Sequence, residues 1–267
     1  MQLRPFAEYS EDYPNVDIQR DDGVLEIRLH TGDGPLVWGE VAHAQLTNLW
    51  TEVALDNDNK VVILTGTGDS FIGGMKASKD QQAWGLSNAD DGRLRASAER
   101  WSYLHYQGKR LMQALLDIEV PMIAAVNGPV GTHSEQALLC DIVLAADTAT
   151  FKDAVHFSAG LIPGDGVHVI YSAAMGLNRA RYFLLTGQEI SAWQAFEWGL
   201  VNEVLPPDQL LSRARELAAM ILSKPPLVVR LTRQVLVQDV KKRMLDEVGY
   251  GLGIESLAAT EFHPSQS

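Results

Sequence analysis

Three short, unbroken apolar runs constrain this chain more than any other feature: Val61-Val62-Ile63-Leu64-Thr65, Met122-Ile123-Ala124-Ala125-Val126 and Ile142-Val143-Leu144-Ala145-Ala146. A run of strand length without apolar–polar alternation reads as a strand covered on both faces, the signature of a parallel sheet between helices. Each run ends in turn residues, and segments of helical length, including residues 43–56 and 98–116, lie between them. Strand and helix therefore alternate as in an α/β domain built with crossover connections. Upstream, residues 24–30 alternate apolar and polar side chains behind the turn Asp21-Asp22-Gly23. That pattern predicts a half-buried strand with a hairpin partner just before it.

After about Gly176 the remaining chain reads as a succession of helices, an all-α appendage with Ser191 or Asp208 as candidate caps. Pro225-Pro226 separates one helix from the next, and helical spacing resumes over residues 227–237. No fixed-period repeat is visible. The small, acidic stretch Ser87-Asn88-Ala89-Asp90-Asp91-Gly92 reads as a flexible insertion that can lie beside a site entrance.

Composition excludes several function classes. The 267 residues carry 22 Lys+Arg against 34 Asp+Glu, a formal net charge of −12, which argues against nucleic acid or an anionic membrane as the main partner. The single cysteine, Cys140, excludes an internal disulfide framework and any multi-cysteine metal cluster. The N-terminus has no apolar leader pattern and no run approaches the length of a membrane span, so a cytoplasmic location and no membrane partner are expected. The chain has no G-x-S-x-G, H-E-x-x-H, C-x-x-C or Walker motif, and Gly66-Thr67-Gly68 fails as a dinucleotide fingerprint because Phe71 stands at the third glycine position.

Glycine and histidine concentrate instead after the strands, where α/β folds place ligands. The segments are Ser70-Phe71-Ile72-Gly73-Gly74-Met75, residues 125–135 and residues 151–166. Read in order, V-I-L-T-G-x-G-x-x-F, A-A-V-N-G-P, C-D-I-V-L-A, I-P-G-D-G, Y-F-L-L-T-G and A-x-x-x-G-L-V-N-E-V resemble the crotonase, or enoyl-CoA hydratase/isomerase, superfamily over most of the chain. The resemblance implies an α/β spiral of repeated ββα units over residues 1–200. It implies a C-terminal helical trimerisation region over 201–267, and a homotrimer or pair of trimers. It also implies an oxyanion hole made by backbone N–H groups near Gly73-Gly74 and Gly131-Thr132.

The departures from the family pattern carry the functional reading. Hydratases have a third glycine where this chain has His133, two residues before Glu135. Their second catalytic glutamate, seven residues before the proline of I-P-G, falls on His156. Where coenzyme A users commonly read G-A-D, this chain has Gly73-Gly74-Met75. One branch of the superfamily is similar in these respects, the β-diketone hydrolases typified by 6-oxocamphor hydrolase. The similarity takes in Leu36-Val37-Trp38 with His43, His133, His156-Phe157, Asp165, His168 and Glu255.

That branch cleaves a carbon–carbon bond between two ketones, which needs an activated water, a polarised carbonyl and an acid for the departing enolate. Histidine exchanges protons near neutral pH, and a hydrogen-bonded carboxylate sets its tautomer. By this resemblance His133, His156, Asp165 and Glu255 are the catalytic candidates, with Glu255 expected to pair with His156. Trp38, His43, Gly73, Gly74, Gly131, Thr132 and Trp84 are the substrate-binding candidates. The partner is a small diketone, and neither a cofactor nor a metal is expected. Three other readings fit parts of the sequence. Glu135 keeps a coenzyme A hydratase or isomerase in play, two histidines with a carboxylate can form an iron site, and the fold can serve as a non-catalytic assembly subunit.

Overall fold

The computed structural model describes residues 4–75, 86–88 and 94–259. A short helix α1 (Phe6–Tyr9) precedes β1 (Val16–Asp21), β2 (Val24–Leu29), β3 (Val37–Trp38) and α2 (Glu40–Leu55). Next come β4 (Val61–Gly66), β5 (Gly74–Met75), β6 (Leu86–Asn88), β7 (Leu94–Ala96) and α3 (Ala98–Leu116). The central part continues through β8 (Met122–Val126), α4 (Glu135–Leu138), β9 (Ile142–Ala146), β10 (Thr150–Phe151) and α5 (Val167–Met175). The last part holds α6 (Leu177–Thr186), β11 (Ile190–Ser191), α7 (Ala192–Glu197), β12 (Glu203–Leu205), α8 (Pro207–Leu222) and α9 (Pro226–Ala259).

The expected hairpin is present. β1 and β2 pair antiparallel with Asp21 opposite Val24, and both turn residues take positive φ, 43° at Asp22 and 82° at Gly23. Asp-Gly suits that two-residue turn because aspartate tolerates, and glycine favours, the left-handed region. From β2 onward every neighbour in the six-stranded sheet is parallel, in the order β1-β2-β4-β8-β9-β12.

The three apolar runs are β4, β8 and β9, and their side chains divide between two cores as burial on both faces requires. Val62, Leu64, Met122, Ala124, Val126, Val143 and Ala145 face the larger core with Leu46, Leu49 and Trp50 of α2 and Leu111 and Leu115 of α3. Val61, Ile63, Ile123, Ala125, Leu144 and Ala146 face the other way, against Leu210, Ala214, Leu217 and Ala218 of α8.

A second set of short extended segments runs beside the sheet. β3 pairs with β5, Ile72 bridges Val130, Val130 bridges Phe151, and β10 pairs with β11. Strand, short strand and helix thus recur along the chain, giving the α/β spiral of ββα units, although no sequence repeat marks it. The loops that pass between the two sheets carry the glycine and histidine segments.

The sequence reading is corrected in the tail. The chain beyond Gly176 is not all helix, because β11 closes the second set of short strands and β12 adds a sixth, parallel strand beside β9. The strand at 203–205 lies in the segment assigned to the helical region, so that segment is joined to the core sheet by backbone pairing. Three residues are too few for apolar periodicity to register. Ser191 does cap α7, in a capping box with Gln194, whereas Asp208 sits in the first turn of α8 behind Pro206. The Pro225-Pro226 break falls between α8 and α9 as expected. Glu255 lies inside the 34-residue α9, which runs through Gly251 and Gly253 without a break. Of the acidic insertion, residues 87 and 88 belong to β6, which pairs with β7; its remaining residues lie outside the described ones. Among the described residues no helix is long and apolar enough to cross a membrane.

Asn127 and Gly128 lock the loop after β4 to the loop after β8. Asn127 Oδ1 accepts from the Gly66 N–H at 3.1 Å, and its amide donates to the carbonyls of Gly68 and Ser70. A Cβ on Gly128 would stand 1.9 Å from Asp69 O, a clash with backbone. Gly131, by contrast, meets only Ala154 Cβ at 3.5 Å, an ordinary contact. Gly128→Ala should therefore lower stability by about 1–3 kcal/mol or more, while Gly131→Ala stays near wild type. Denaturant unfolding of both variants checks the contrast; equal losses would contradict it.

Candidate active site

Three loop segments, β3, the start of α2 and α9 converge on one cluster. β3 supplies Trp38 and the start of α2 supplies His43. The segment after β8 supplies His133 and Glu135, the one after β10 supplies Asp153 and His156, and the turn before α5 supplies Asp165.

The loop at 131–135 is held by its neighbour, since Ala154 N–H donates to Gly131 O at 3.0 Å and Lys152 N–H to Val130 O at 3.2 Å. His133 has φ = 50°, in the left-handed region that side chains rarely occupy. Here the family pattern has glycine, and the backbone explains why: a residue with a Cβ is strained at that position. The ring it presents is stacked on Trp38, with centroids 3.8 Å apart and planes 26° apart, and His43 meets both rings edge-on.

Three carboxylates organise the two imidazoles. His133 Nδ1 lies 2.6 Å from Glu135 Oε1 and 3.8 Å from Asp165 Oδ2. His156 Nδ1 lies 2.7 Å from Asp153 Oδ1, and its Nε2 lies 3.4 Å from Asp165 Oδ2. An ionised carboxylate only accepts, so Nδ1 is the protonated nitrogen in both short contacts. Asp165 is thus shared between the two histidines. It comes from the Pro163-Gly164-Asp165-Gly166 turn, which packs backbone to backbone on α9: a Cβ on Gly164 would lie 2.4 Å from Gly251 O. Its Oδ1 meanwhile faces the Val167 N–H at 3.5 Å, so the turn role and the site role coexist.

Burial sets the charge states. Burial by itself lowers His156, but the negative charges of Asp165 and Asp153 and its hydrogen bonds to both more than reverse this and raise it well above the usual histidine value. His133 is also raised, burial being outweighed by the charge and hydrogen bond of Glu135 and the charge of Asp165. Asp165 is lowered: burial acts upward, and the charges of His156 and His133, the hydrogen bond from His156 and the Val167 N–H prevail. Glu255 behaves oppositely, pushed up to about 8 by burial and then by the charge of Asp165, so its neutral form is favoured. His168 is lowered by burial, and its Nδ1 is buried without a partner among the described residues.

Most sequence-chosen residues meet here, with three adjustments. The hydrogen-bond partner of His156 Nδ1 is Asp153, not Glu255, which stands behind Gly164 with Oε2 buried and unpartnered among the described residues. Second, the Gly73 N–H donates to Leu36 O at 2.9 Å and is unavailable as an oxyanion donor. For the N–H groups of Gly131 and Thr132 no acceptor occurs among the described residues. Third, Glu135 forms part of the site through His133. Trp84 lies outside the described residues. Sequence reasoning missed Asp153, although its spacing three residues before His156 was a usable signal. Atoms of His133, Glu135 and Asp165 lie within 4.8 Å of one another, a set with one imidazole and two carboxylates that can also take a metal ion.

The sequence profile of the enoyl-CoA hydratase/isomerase family matches residues 42–250. This chain belongs to that family, the crotonase superfamily. Among crotonases of known structure, the β-diketone hydrolase ABDH from the cyanobacterium Anabaena sp. PCC 7120, bound to (S)-3-oxocyclohexyl acetic acid, is 38% identical. It superimposes with a TM-score of 0.87 over 97% of this chain and 99% of that one. An enoyl-CoA hydratase/isomerase from Mycobacterium paratuberculosis is 28% identical, with a TM-score of 0.80 over 92% and 94% of the two chains. The short-chain-enoyl-CoA hydratase of Clostridium acetobutylicum is 33% identical over 78% of this chain and 74% of its own length. The crotonase frame is thus shared with proteins of two chemistries, and side chains within the site must separate them.

Two measurements test the site's physics. His133→Gly and His133→Ala both lose the imidazole, but only glycine relieves the positive φ, so the glycine variant should be the more stable by about 1 kcal/mol; equal midpoints in urea would refute the strain. Glu255 is raised in the fold, so its contribution falls as pH rises from the ordinary glutamate range through about 8. Glu255→Gln should therefore gain in melting temperature relative to wild type across that window, and a gap that does not widen with pH would count against it.

Proposed function

We propose that this chain is a hydrolase that cleaves the carbon–carbon bond between the two carbonyls of a cyclic or bicyclic β-diketone by a retro-Claisen reaction, without a cofactor. The observation that carries the reading is the pair of buried imidazoles, His133 and His156, sharing Asp165 where a hydratase has glycine and glutamate. Water adds hydroxide to one carbonyl carbon and leaves its proton with the histidine–carboxylate group. Collapse of the tetrahedral adduct breaks the carbon–carbon bond, and the electron pair leaves as an enolate of the second ketone. The enolate takes up a proton from the group, so the product is a keto acid containing the substrate plus one water.

Imidazole can serve each proton transfer near neutral pH. The N–H groups of Gly131 and Thr132 and the indole N–H of Trp38 are the proposed donors to the developing oxyanions. The Anabaena relative supports the substrate class. Returning the carboxyl carbon of its 3-oxocyclohexyl acetic acid to the free α-carbon of the ketone, with loss of water, regenerates a bicyclic β-diketone.

Coenzyme A chemistry is the second reading, favoured by the hydratase names of relatives such as that of Clostridium acetobutylicum and by Glu135 at a hydratase glutamate position. Against it, Glu135 is fully buried and its Oε1 is occupied by His133 Nδ1.

Incubation with monocyclic and bicyclic β-diketones, with and without chelator, separates the readings. Loss of diketone absorbance with a product one water heavier, indifferent to chelator, is expected. His156→Ala and Asp165→Asn should each lose about 10²- to 10⁴-fold in kcat while remaining folded. Hydration of an enoyl-CoA with no diketone turnover would replace this reading with the second, and activity lost to chelator and restored by a divalent metal would remove the claim of cofactor independence.

A further inference from the structure

Asp153 is the buried acid that none of the family motifs singled out. Its Oδ1 sits 2.7 Å from His156 Nδ1, three residues along the same loop, and the carboxylate is 5% exposed. Its other oxygen, Oδ2, is buried with no hydrogen-bond partner among the described residues. Such a group is costly to keep in a fold unless it stabilises something charged beside it.

We infer that Asp153 is a positioning residue that holds His156 as a doubly protonated imidazolium, with its Nε2–H turned toward Asp165, so that His156 is the proton donor to the departing enolate. The inference rests on the β-diketone reading for the enolate, but not for the state of the ring.

The geometry is a line of three groups. Nδ1–H is taken by Asp153, while Nε2 stands 3.4 Å from Asp165 Oδ2, a longer and weaker contact than the 2.7 Å one at Nδ1. The proton on Nε2 is therefore attracted by a carboxylate without being engaged at short range, and a substrate atom can compete for it. Groups from every packed element act on the ring. Asp153 lies on its own loop, Asp165 on the turn before α5, His133 on the loop after β8, Glu255 on α9 and His168 on α5. The carboxylates of Asp153 and Asp165 favour the cation and the His133 imidazole opposes it. Burial also opposes the cation, but the sum of the effects raises His156.

In the cleavage step the Nε2–H bond breaks and its proton forms a bond to the enolate, leaving His156 neutral. The proton that the attacking water gives up is held on the Asp165 carboxylate through the addition, and it passes to His156 Nε2 once the enolate has taken that ring's proton, so the cation is restored. No oxidant, reductant or third reactant enters. The hydratase glutamate position is thereby filled by an acid whose strength another carboxylate sets from behind, as happens when a carboxylate fixes an imidazole's tautomer.

The test uses the full-length protein labelled with ¹⁵N-histidine, the His156 signals being assigned by their loss in His156→Ala. In wild type both ring nitrogens should be protonated at pH 7. In Asp153→Asn the titration midpoint should fall by about one to three pH units, the size of effect a close opposite charge has. Asp153→Glu, which restores a carboxylate, should recover part of the shift. With a bicyclic β-diketone, the alkaline limb of kcat should move down by the same amount in Asp153→Asn while KM changes little. A His156 ring that is neutral at pH 7 in wild type overturns the inference whether or not the variant folds, as does an unchanged midpoint in Asp153→Asn. If the midpoint moves as expected but wild type turns over no diketone, the β-diketone reading fails and the positioning of His156 by Asp153 stands.

Discussion

An ionisable group removed from water must find a partner or lose its charge, and this constraint shapes the structure around Asp165. His133, Glu135, Asp153, His156, Asp165 and Glu255 all lie within or against one interior cluster. Two imidazoles can compensate three carboxylates only if they hold protons, and both are pushed toward that state. A fourth carboxylate has no imidazole left to match it, so Glu255 is the one driven toward its neutral form. The site consequently presents charge already arranged before a substrate arrives, in a place where little water screens it. That is the condition under which fixed dipoles and protons act most strongly on developing charge.

The scaffold makes such an arrangement affordable by keeping the contributing loops short and tied to one another. Asn127 binds the loop after β4 to the loop after β8, and Gly128 lets those backbones approach within the space of a side chain. On the opposite side, Gly164 and Gly251 bring the Asp165 turn into backbone contact with α9. Ser134 and Tyr171 share a buried hydrogen bond at 2.8 Å, tying the His133 loop to α5. Beneath these contacts the alternating inward and outward faces of β4, β8 and β9 fill two cores.

Within the crotonase frame a few positions depart from the hydratase pattern. Placing histidine at position 133 accepts a left-handed backbone that glycine would occupy without strain. In return the ring stacks on Trp38 and reaches both Glu135 and Asp165. Glu135 remains where a hydratase keeps a glutamate, but its buried carboxylate now serves the neighbouring imidazole. The side-chain exchange at 156 replaces an acid–base carboxylate by an imidazole with a carboxylate at each nitrogen.

The sequence by itself determined the covered strands, the hairpin, the break at Pro225-Pro226 and the family. These follow from local apolar periodicity, turn chemistry and ordered motifs, all carried by residues close in the chain. It also singled out His133, His156 and Asp165, because each departs from, or sits beside, a position where a hydratase has a different residue. Only the tertiary structure decided that His156 Nδ1 turns to Asp153 instead of Glu255, that Gly73 spends its N–H on Leu36, and that a three-residue strand at 203–205 closes the sheet. The reason is common to all three. A hydrogen-bond partner is chosen by the path of the backbone and by which charges share a dry interior, and neither leaves a periodic mark in the sequence.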